Sequence, residues 1–334
     1  MRLRGLSAAG LCATLALLTG GCGAARLAHT CSATDKQFIS AAQLNIASLD
    51  LWAQQYLSGA VKAGVVVDQA QQAAETVSRT EPRDPSLAKT RRLLDGMFTE
   101  YARAIQARSR HRDAGPHMYR AYERLLARCY DVAHAVRPDV NVISSAGPHA
   151  RVRGAVGPGL WYRRVGEALR ASHRRRPLFD TVGHNAYPDS PFEGPWTTHE
   201  GASIDQGDYG KLLAALRSAF RGTGQPPPGR RGVTIWYLED GYQSSVDGHE
   251  DAYVGRENVA VVLDPGFANL QLASSIWLAY CQPLVGALFN FQLRDDTSLR
   301  GWQSGVLYAD GKRKRGYLLV RQVLASAAAG TLEC

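Results

Sequence analysis

The sequence lacks the close cysteine spacing of a metal site. It has six cysteines, and the four beyond the N-terminal region are Cys31, Cys129, Cys281 and Cys334. Their wide, irregular separations match no zinc-ligand pattern, so we expect no metal site. An even number of cysteines in an oxidising compartment permits disulfides. We predict a bond between Cys281 and Cys334 that ties the C-terminal tail to the core, although the sequence leaves other pairings open.

A basic surface interleaved with aromatic residues is also missing. The formal net charge is +9, from 39 Lys and Arg against 30 Asp and Glu. The excess is mostly arginine, in short clusters at 91–92, 174–176 and 312–315. Such clusters are typical of solvated helix faces, whereas a nucleic-acid interface calls for a continuous basic patch or stripe. We therefore expect no nucleic-acid partner.

The N-terminal apolar run is too short to span a bilayer as a helix. Residues 11–18 follow a basic start and precede Thr19-Gly20-Gly21-Cys22. This pattern predicts a secretory signal over residues 1–22 and an exported protein, extracellular or in the cell envelope. The small residues before Cys22 resemble a bacterial lipoprotein cleavage box, which implies a lipid anchor on that cysteine. Thr19 stands where leucine is usual, so a plainly cleaved signal stays open.

Two regions of the chain differ in periodicity. Residues 31–109 carry apolar residues at helical spacing and predict an all-helical domain of three or four helices, a spacer or adaptor. Beyond a junction rich in Arg, His and Gly, residues 117–330 alternate helix and strand, as in βα units that build a parallel sheet. The predicted strands are 140–144, 179–185, 233–238 and 286–291. The predicted helices are 118–135, 161–173, 209–220, 266–280 and 315–328.

Polar and aromatic residues stand at the ends of these strands. The second strand runs into Gly183-His184-Asn185-Ala186-Tyr187-Pro188, the third into Glu239-Asp240-Gly241, and the fourth ends in Asn290-Phe291, with Trp302 further on. In this order the motifs resemble the C-terminal half of a clan A glycoside hydrolase, a (β/α)8 superfamily that contains many cellulases, xylosidases and mannanases. The resemblance implies an α/β fold, a half TIM-type (β/α)8 barrel preceded by the helical domain.

The resemblance also implies roles for the residues that match the motifs. Glu239, at the end of the strand equivalent to the seventh, corresponds to the nucleophile of a retaining glycosidase. Such an enzyme needs a second carboxyl group roughly 5–5.5 Å away as acid/base. The implied partner is a carbohydrate, with no cofactor. The residues expected to bind it are His184, Tyr187, Asn185, Trp196, Trp302 and Asn290.

The acid/base of the superfamily has no counterpart. It is a glutamate, usually after asparagine, that ends the fourth strand; here residues 106–117 contain no Asn-Glu pair and only Asp113 as a carboxylate. Glu193 and Glu200, in a later loop, are alternative proton donors. Strands one to three are absent upstream as well. The open sheet edge predicts a cover by the N-terminal helices or by a second chain that completes the barrel, unless the half-barrel is a relic in a recombined gene product.

Three functions remain open on the sequence. The first is hydrolysis of O-glycosidic bonds in a polysaccharide or oligosaccharide, with Glu239 as nucleophile. The second is a non-catalytic exported lipoprotein, in which the half-barrel binds carbohydrate or only packs on the helices. The third is a protein-binding adaptor that acts through residues 31–109.

Overall fold

The computed structural model describes residues 32–57, 60–109, 115–144, 156–257, 259 and 262–334. The predicted signal over residues 1–22, the lipidation of Cys22 and the position of Asp113 lie outside these residues. The helices are α1 (Ala33–Leu57), α2 (Ala63–Arg79), α3 (Pro85–Ser109), α4 (Gly115–Val136), α5 (Pro158–Ala171), α6 (Tyr209–Ala219), α7 (Pro265–Cys281) and α8 (Tyr317–Ala328). The strands are β1 (Thr181–Asn185), β2 (Thr234–Asp240) and β3 (Val285–Asn290). Among the described helices, none combines the length and apolarity that crossing a bilayer requires.

Helix α2 packs against both α1 and α3, and the three helices share one apolar core. Their apolar residues recur three and four positions apart, so each helix turns one stripe inward. Its large, deeply buried members include Phe38, Ile46, Val66, Val77, Leu94 and Phe98. Each side chain of this kind contributes roughly 1.5–3 kcal/mol on burial. Helix α4 packs against α3 and leads into the mixed part of the chain.

Asp35 joins the start of α1 to the turn before α3. One carboxylate oxygen accepts hydrogen bonds from the Ser32 amide (3.1 Å) and hydroxyl (2.7 Å), while the Ser32 hydroxyl accepts from the Asp35 amide. This reciprocal pattern caps the helix N-terminus. The other oxygen accepts from the amides of Arg83 (2.7 Å) and Asp84 (3.1 Å). The hydrogen bond from Ser32 lowers the pKa of Asp35, although burial opposes this.

Replacing Asp35 by alanine is expected to lower the free energy of unfolding by about 1.5–3 kcal/mol, because four donors lose a charged acceptor. Urea unfolding, followed by the circular dichroism signal of the helices, measures this change in the free energy of unfolding. Since the pKa is lowered in the folded state, the difference is present above the ordinary pKa of 3.8 and vanishes as pH falls through the folded value. Asp68→Ala, on the exposed face of α2, is the control and should change stability by about 0.5 kcal/mol or less. Equal effects of the two variants would contradict the assignment.

The three strands form a parallel sheet in the order β1-β2-β3, with β2 in the centre. Helix α6 connects β1 to β2, α7 connects β2 to β3, and α8 follows β3. In β2 the side chains of Ile235 and Tyr237 are fully buried. They lie in a core shared with the helices, whose other fully buried members include Leu169, Leu178, Val182, Leu212 and Leu216. The sheet and its crossover helices thus agree with the predicted βα alternation.

The predicted strand at 140–144 does not form a regular strand. It pairs with β1 through one parallel bridge, Ile143 to Thr181. A side chain replaces one backbone acceptor, because Asp180 Oδ2 accepts a hydrogen bond from the Val142 amide at 2.9 Å. The segment nevertheless lies close to β1. A Cβ on Gly183 would stand 1.9 Å from the Ser144 carbonyl oxygen, so only glycine fits there. Within the described residues the sheet therefore has three strands and an irregular fourth segment.

The predicted disulfide between Cys281 and Cys334 is confirmed. The bond joins the end of α7 to residue 334, across a sequence separation of 53 residues, with the two Cα atoms 5.4 Å apart. The tail is also held by its backbone, since the Trp277 indole donates to the Glu333 carbonyl oxygen at 2.7 Å. Cys129 is a buried free thiol, and burial raises its pKa to about 11. Disulfide formation at the other pair fits an oxidising compartment.

Candidate functional site

The carboxyl ends of β1 and β2 bring Tyr187 next to Glu239. The strands run parallel with Asn185 opposite Glu239, and the pairing extends one step further because the Ala186 amide donates to the Glu239 carbonyl oxygen at 3.0 Å. The chain then turns at Pro188. Side chains at this edge of a parallel sheet converge, which is why α/β proteins commonly bind ligands there.

Tyr187 donates a hydrogen bond to the Glu239 carboxylate. The phenol oxygen lies 3.3 Å from Oε2 of Glu239, whose side chain is half-buried. Burial raises the pKa of Glu239, and the hydrogen bond from Tyr187 partly offsets this. Burial also raises the pKa of Tyr187, so its phenol stays protonated and remains a donor. Among the described residues, Tyr187 is the one that donates a hydrogen bond to the Glu239 carboxylate.

Tyr187 belongs to a cluster of three aromatic rings. Trp302 stacks on Tyr187 with ring centroids 6.3 Å apart and an interplanar angle of 18°. Phe291 stands edge-on to both, at 6.5 Å from Tyr187 and 5.8 Å from Trp302. All three side chains are partly exposed. The result is a partly open aromatic surface beside an acid. Phe291 was missed as a site residue, because its place in an apolar strand favoured the core.

Two amide side chains, one at the end of β3 and one just after it, add polar atoms. Asn290 donates from Nδ2 to the carbonyl oxygens of Gln292 (2.7 Å) and Ser304 (3.1 Å), which fixes its orientation. Its Oδ1 and the Oε1 of Gln292 are buried and accept no hydrogen bond from the described part of the chain. Gln292 also adopts a φ of 85°, a left-handed conformation that is strained for a residue with a side chain. Orphaned acceptors and backbone strain together are typical of a ligand site.

A buried ion pair holds the loop that carries Trp302. Lys314 donates to Asp295 Oδ1 (2.8 Å), Ser244 Oγ (2.7 Å) and the Gln303 carbonyl oxygen (2.8 Å), and Tyr253 donates to Asp295 Oδ2 (2.7 Å). We call these five residues the Lys314 network. The charged side chains are 1% and 0% exposed. Burial lowers the pKa of Lys314 and raises the pKa of Asp295, and each charge opposes the shift of the other.

Asp240, next to Glu239, faces the opposite way. It is buried and accepts a short hydrogen bond from the Ser275 hydroxyl of α7. Burial raises its pKa to about 6, partly offset by that bond. The Ser275 hydroxyl is also close to the side-chain oxygen of Gln206 (2.7 Å). The two neighbouring carboxylates therefore differ in environment, and Glu239 is the one on the aromatic side.

The other predicted binding residues lie in different surroundings. His184 is fully buried, with Nε2 2.8 Å from the Ile204 carbonyl oxygen and Nδ1 3.3 Å from the Tyr162 hydroxyl. Burial lowers its pKa to about 4, so it is a neutral histidine of the core. Asn185 is half-buried at the end of β1, opposite Glu239. Trp196 is 59% exposed in the following loop. The structure thus groups Tyr187, Trp302 and Glu239, and it places His184 inside.

The loop after β1 gathers a second set of ionisable groups. Single ligand atoms of Asp189, His199 and Asp205 all lie within 4.8 Å of one another. Glu193, considered as a proton donor from the sequence, lies against His199, whose Nε2 is 3.4 Å from a Glu193 carboxylate oxygen. Glu200, the other donor considered, is exposed. The three residues of this set are spread over seventeen positions of an irregular loop, without a recognisable motif, which is why the sequence analysis missed them.

No family model and no curated protein matches the sequence. Among solved structures, the chain is similar to a family 39 glycoside hydrolase from the gut symbiont Bacteroides cellulosilyticus WH2, with a TM-score of 0.40 and 18% identity over 71% of this chain and 44% of that one. It is similar to an agarase, with a TM-score of 0.43 and 9% identity over 80% and 40% of the two chains. A GH2 β-galacturonidase from Eisenbergiella tayi bound to galacturonate matches with a TM-score of 0.34 and 15% identity over 63% and 37%. The chain spans less than half the length of each of these proteins.

Proposed function

We propose that the protein is an exported glycoside hydrolase-like protein in which Glu239 is the nucleophile of a retaining mechanism. The observation that carries the proposal is the hydrogen bond to the Glu239 carboxylate, at the carboxyl edge of the sheet, from Tyr187, whose ring stacks on Trp302. The substrate class is an oligosaccharide or polysaccharide.

The chemistry of this edge suits a sugar. A sugar ring presents C–H groups on its faces and hydroxyls around its rim, so a partly exposed aromatic surface and nearby acceptors complement it. Trp302 and Phe291 supply the surface, and the orphaned oxygens of Asn290 and Gln292 supply acceptors. Glu239 would attack the anomeric carbon to form a glycosyl-enzyme that water then hydrolyses. Tyr187 holds the attacking carboxylate and keeps its pKa from rising further.

The proposed fold is the C-terminal half of a (β/α)8 barrel. In a barrel, consecutive strands lie side by side, whereas a doubly wound sheet reverses its strand order at a switch point. The order β1-β2-β3, with one helix in each crossover and the 140–144 segment beside β1, supports the barrel. The disulfide supports the proposed export. Lipidation of Cys22 and a second chain that completes the barrel remain predictions.

The experiment is covalent trapping. The purified mature chain is incubated with a panel of activated 2-fluoroglycosides, and intact mass with peptide mapping locates any adduct. We expect one added glycosyl group per chain, on Glu239, because such reagents stop a retaining enzyme at the covalent intermediate. Glu239→Gln should give no adduct. Tyr187→Phe retains the stacked ring but removes the donor, so its labelling should be slower and the acidic limb of its pH profile should move to higher pH.

Glu200→Gln is the matched control, since Glu200 is an exposed glutamate in a loop. It should be labelled like the parent protein. An adduct that persists in Glu239→Gln would remove Glu239 from the mechanism, and so would a folded parent protein that no sugar of the panel labels.

Carbohydrate binding without turnover is a second candidate. Asp240, the other carboxylate at the end of β2, is bonded to Ser275 in the interior, and residues 106–117 lack the Asn-Glu pair of the superfamily. A protein that keeps the aromatic surface but has no acid/base would bind sugars and leave them intact. Quenching of tryptophan fluorescence by an oligosaccharide, lost in Trp302→Ala and unaccompanied by any adduct, would favour this candidate.

A further inference from the structure

The loop between β1 and α6, residues 186–205, encloses a small acidic cavity. Its volume is about 10 Å³, the size of one ion or water molecule rather than a sugar ring. Glu193, His199, Asp205 and Tyr242 are among its lining residues. Two carboxylates and an imidazole thus face a space with room for a single small occupant.

Two atoms at this cavity lack the partners that buried polar atoms normally have. Asp205 is 5% exposed, and its Oδ1 accepts no hydrogen bond from any described residue. Its other oxygen is occupied, because Oδ2 accepts from the Asp189 amide at 3.0 Å. The Nε2 of His199 is buried too; a Glu193 carboxylate oxygen lies 3.4 Å from it, and no described residue forms a hydrogen bond with it. Buried polar atoms are rarely left without a hydrogen bond, so two at one cavity point to a missing ligand.

The imidazole is oriented as in histidine–metal sites. Nδ1 of His199 lies 2.8 Å from Oδ2 of Asp208 and 3.7 Å from Oδ2 of Asp205, and the His199 amide donates to Oδ1 of Asp208 at 2.8 Å. Metal-ligating histidines almost always have a carboxylate or carbonyl bonded to the ring, which fixes the orientation of the imidazole. Lys211 makes the loop rigid, because its ammonium donates to the carbonyl oxygens of His199, Gly201 and Ser203 at 2.6–2.8 Å.

We propose that Asp189, His199 and Asp205 form a binding site for one divalent cation, Zn²⁺. One imidazole nitrogen with carboxylate oxygens is a donor set that Zn²⁺ accepts in four-coordinate sites. The three ligand atoms lie within 4.8 Å of one another, so a small inward shift brings each to the ~2.0–2.2 Å of a Zn²⁺ bond. Glu193, whose carboxylate already lies 3.4 Å from His199 Nε2, completes the set.

The cation would act as a structural anchor for the loop that begins with Tyr187. Asp189 follows Tyr187 by two positions, and Tyr187 is the donor to Glu239. Fixing Asp189 to His199 and Asp205 therefore fixes the start of the loop over the sheet edge. The inference does not rest on the proposed glycosidase function, since it concerns metal binding alone and applies whether or not the protein hydrolyses sugars.

The test is a titration of the purified, EDTA-treated full chain with ZnCl2, by calorimetry, with thermal unfolding recorded in parallel. We expect one tight Zn²⁺ per chain and a rise in melting temperature. His199→Gln and Asp205→Asn should weaken binding by at least tenfold. Asp208→Asn, a positioning substitution behind the histidine, should weaken it by about 10–100-fold. His249→Gln is the matched control, because His249 also pairs with a carboxylate, Asp310, at 3.0 Å but lies outside the loop.

Asp205→Asn separates a metal ligand from a merely structural residue. The substitution keeps the size of the side chain and removes its charge, so the rise in melting temperature on adding Zn²⁺ should disappear. An unchanged response of the melting temperature to Zn²⁺ would overturn the proposal. So would a folded parent chain that binds no Zn²⁺, in which case a protonated His199 paired with Glu193 accounts for the cluster. Stoichiometric binding that His199→Gln, Asp205→Asn and Asp208→Asn all retain would place the ion elsewhere and would also overturn the proposal.

Discussion

Replacing Lys314 by methionine is expected to lower the free energy of unfolding by about 3–5 kcal/mol. The substitution keeps an unbranched side chain but removes the ammonium, which leaves Asp295 as an uncompensated charge that is 0% exposed. Ser244 and the Gln303 carbonyl oxygen lose a donor at the same time. Urea denaturation of the parent and variant chains, followed by tryptophan fluorescence, measures the difference.

Lys312→Met is the matched control, two positions earlier in the chain. Its ammonium is 73% exposed and pairs with Asp310 at the surface, where ion pairs contribute about 0–1 kcal/mol. A double variant, Lys314→Met with Asp295→Leu, should be less destabilised than the sum of the single variants, because it removes the orphaned charge as well. If Lys314→Met and Lys312→Met unfold at the same urea concentration, the Lys314 network does not hold the loop.

Removing the disulfide is the second change with a large expected effect. The double substitution Cys281→Ala and Cys334→Ala should cost about 4 kcal/mol, since the cross-link closes a loop of 53 residues and restricts the unfolded chain. The denaturant dependence should also steepen, because the unlinked unfolded chain exposes more surface. The native tail keeps the hydrogen bond from Trp277 to Glu333, so the folded state changes little.

Reduction of the parent chain by dithiothreitol provides an independent measurement of the same loss. Cys129 is already a thiol and is buried, so the reagent leaves it unchanged. The reduced parent and the double alanine variant should unfold at the same urea concentration. A variant as stable as the oxidised parent would show that the cross-link constrains nothing that the fold does not already restrict.

Within residues 117–330, the helices and strands were predicted well where the apolar residues followed a single periodicity, either helical or extended. Helices α5 to α8 and the three strands carry clear helical or extended apolar patterns, and their ends lie within a few residues of the predicted bounds. The segment at 140–144 was the exception. Its prediction rested on apolar residues alone, while Asp180 and neighbouring polar groups replace part of its backbone pairing.

The site was predictable to the extent that strand ends determine it. Two parallel strands that end together bring Tyr187 and Glu239 together, so their proximity follows from the order of the elements. His184 shows the limit of that reasoning. Successive side chains of a strand point to opposite faces, and the sequence did not reveal that His184 faces Tyr162 and the core. The roles of these residues in binding or catalysis stay predictions.

Long-range loop contacts could not be predicted at all. Asp189, His199 and Asp205 come together through a loop whose course depends on Lys211 and on three backbone carbonyls. No local preference encodes such a course. The strained backbone of Gln292 is similar, since a positive φ at a glutamine follows from its surroundings rather than from its residue type.

The environments of Glu239 and Asp240 differ only because of the alternation of β2, and this has an evolutionary consequence. A shift of the strand by one residue would either put Asp240 on the aromatic side and Gly241 opposite Ser275, or put Glu239 opposite Ser275 and Leu238 on the aromatic side. Substitutions within β2 therefore change one side chain at a time, whereas a single-residue insertion or deletion would displace both acids at once. Among descendants of this chain, insertions and deletions should accumulate in the loops on either side of β2, whereas selection should remove those within β2.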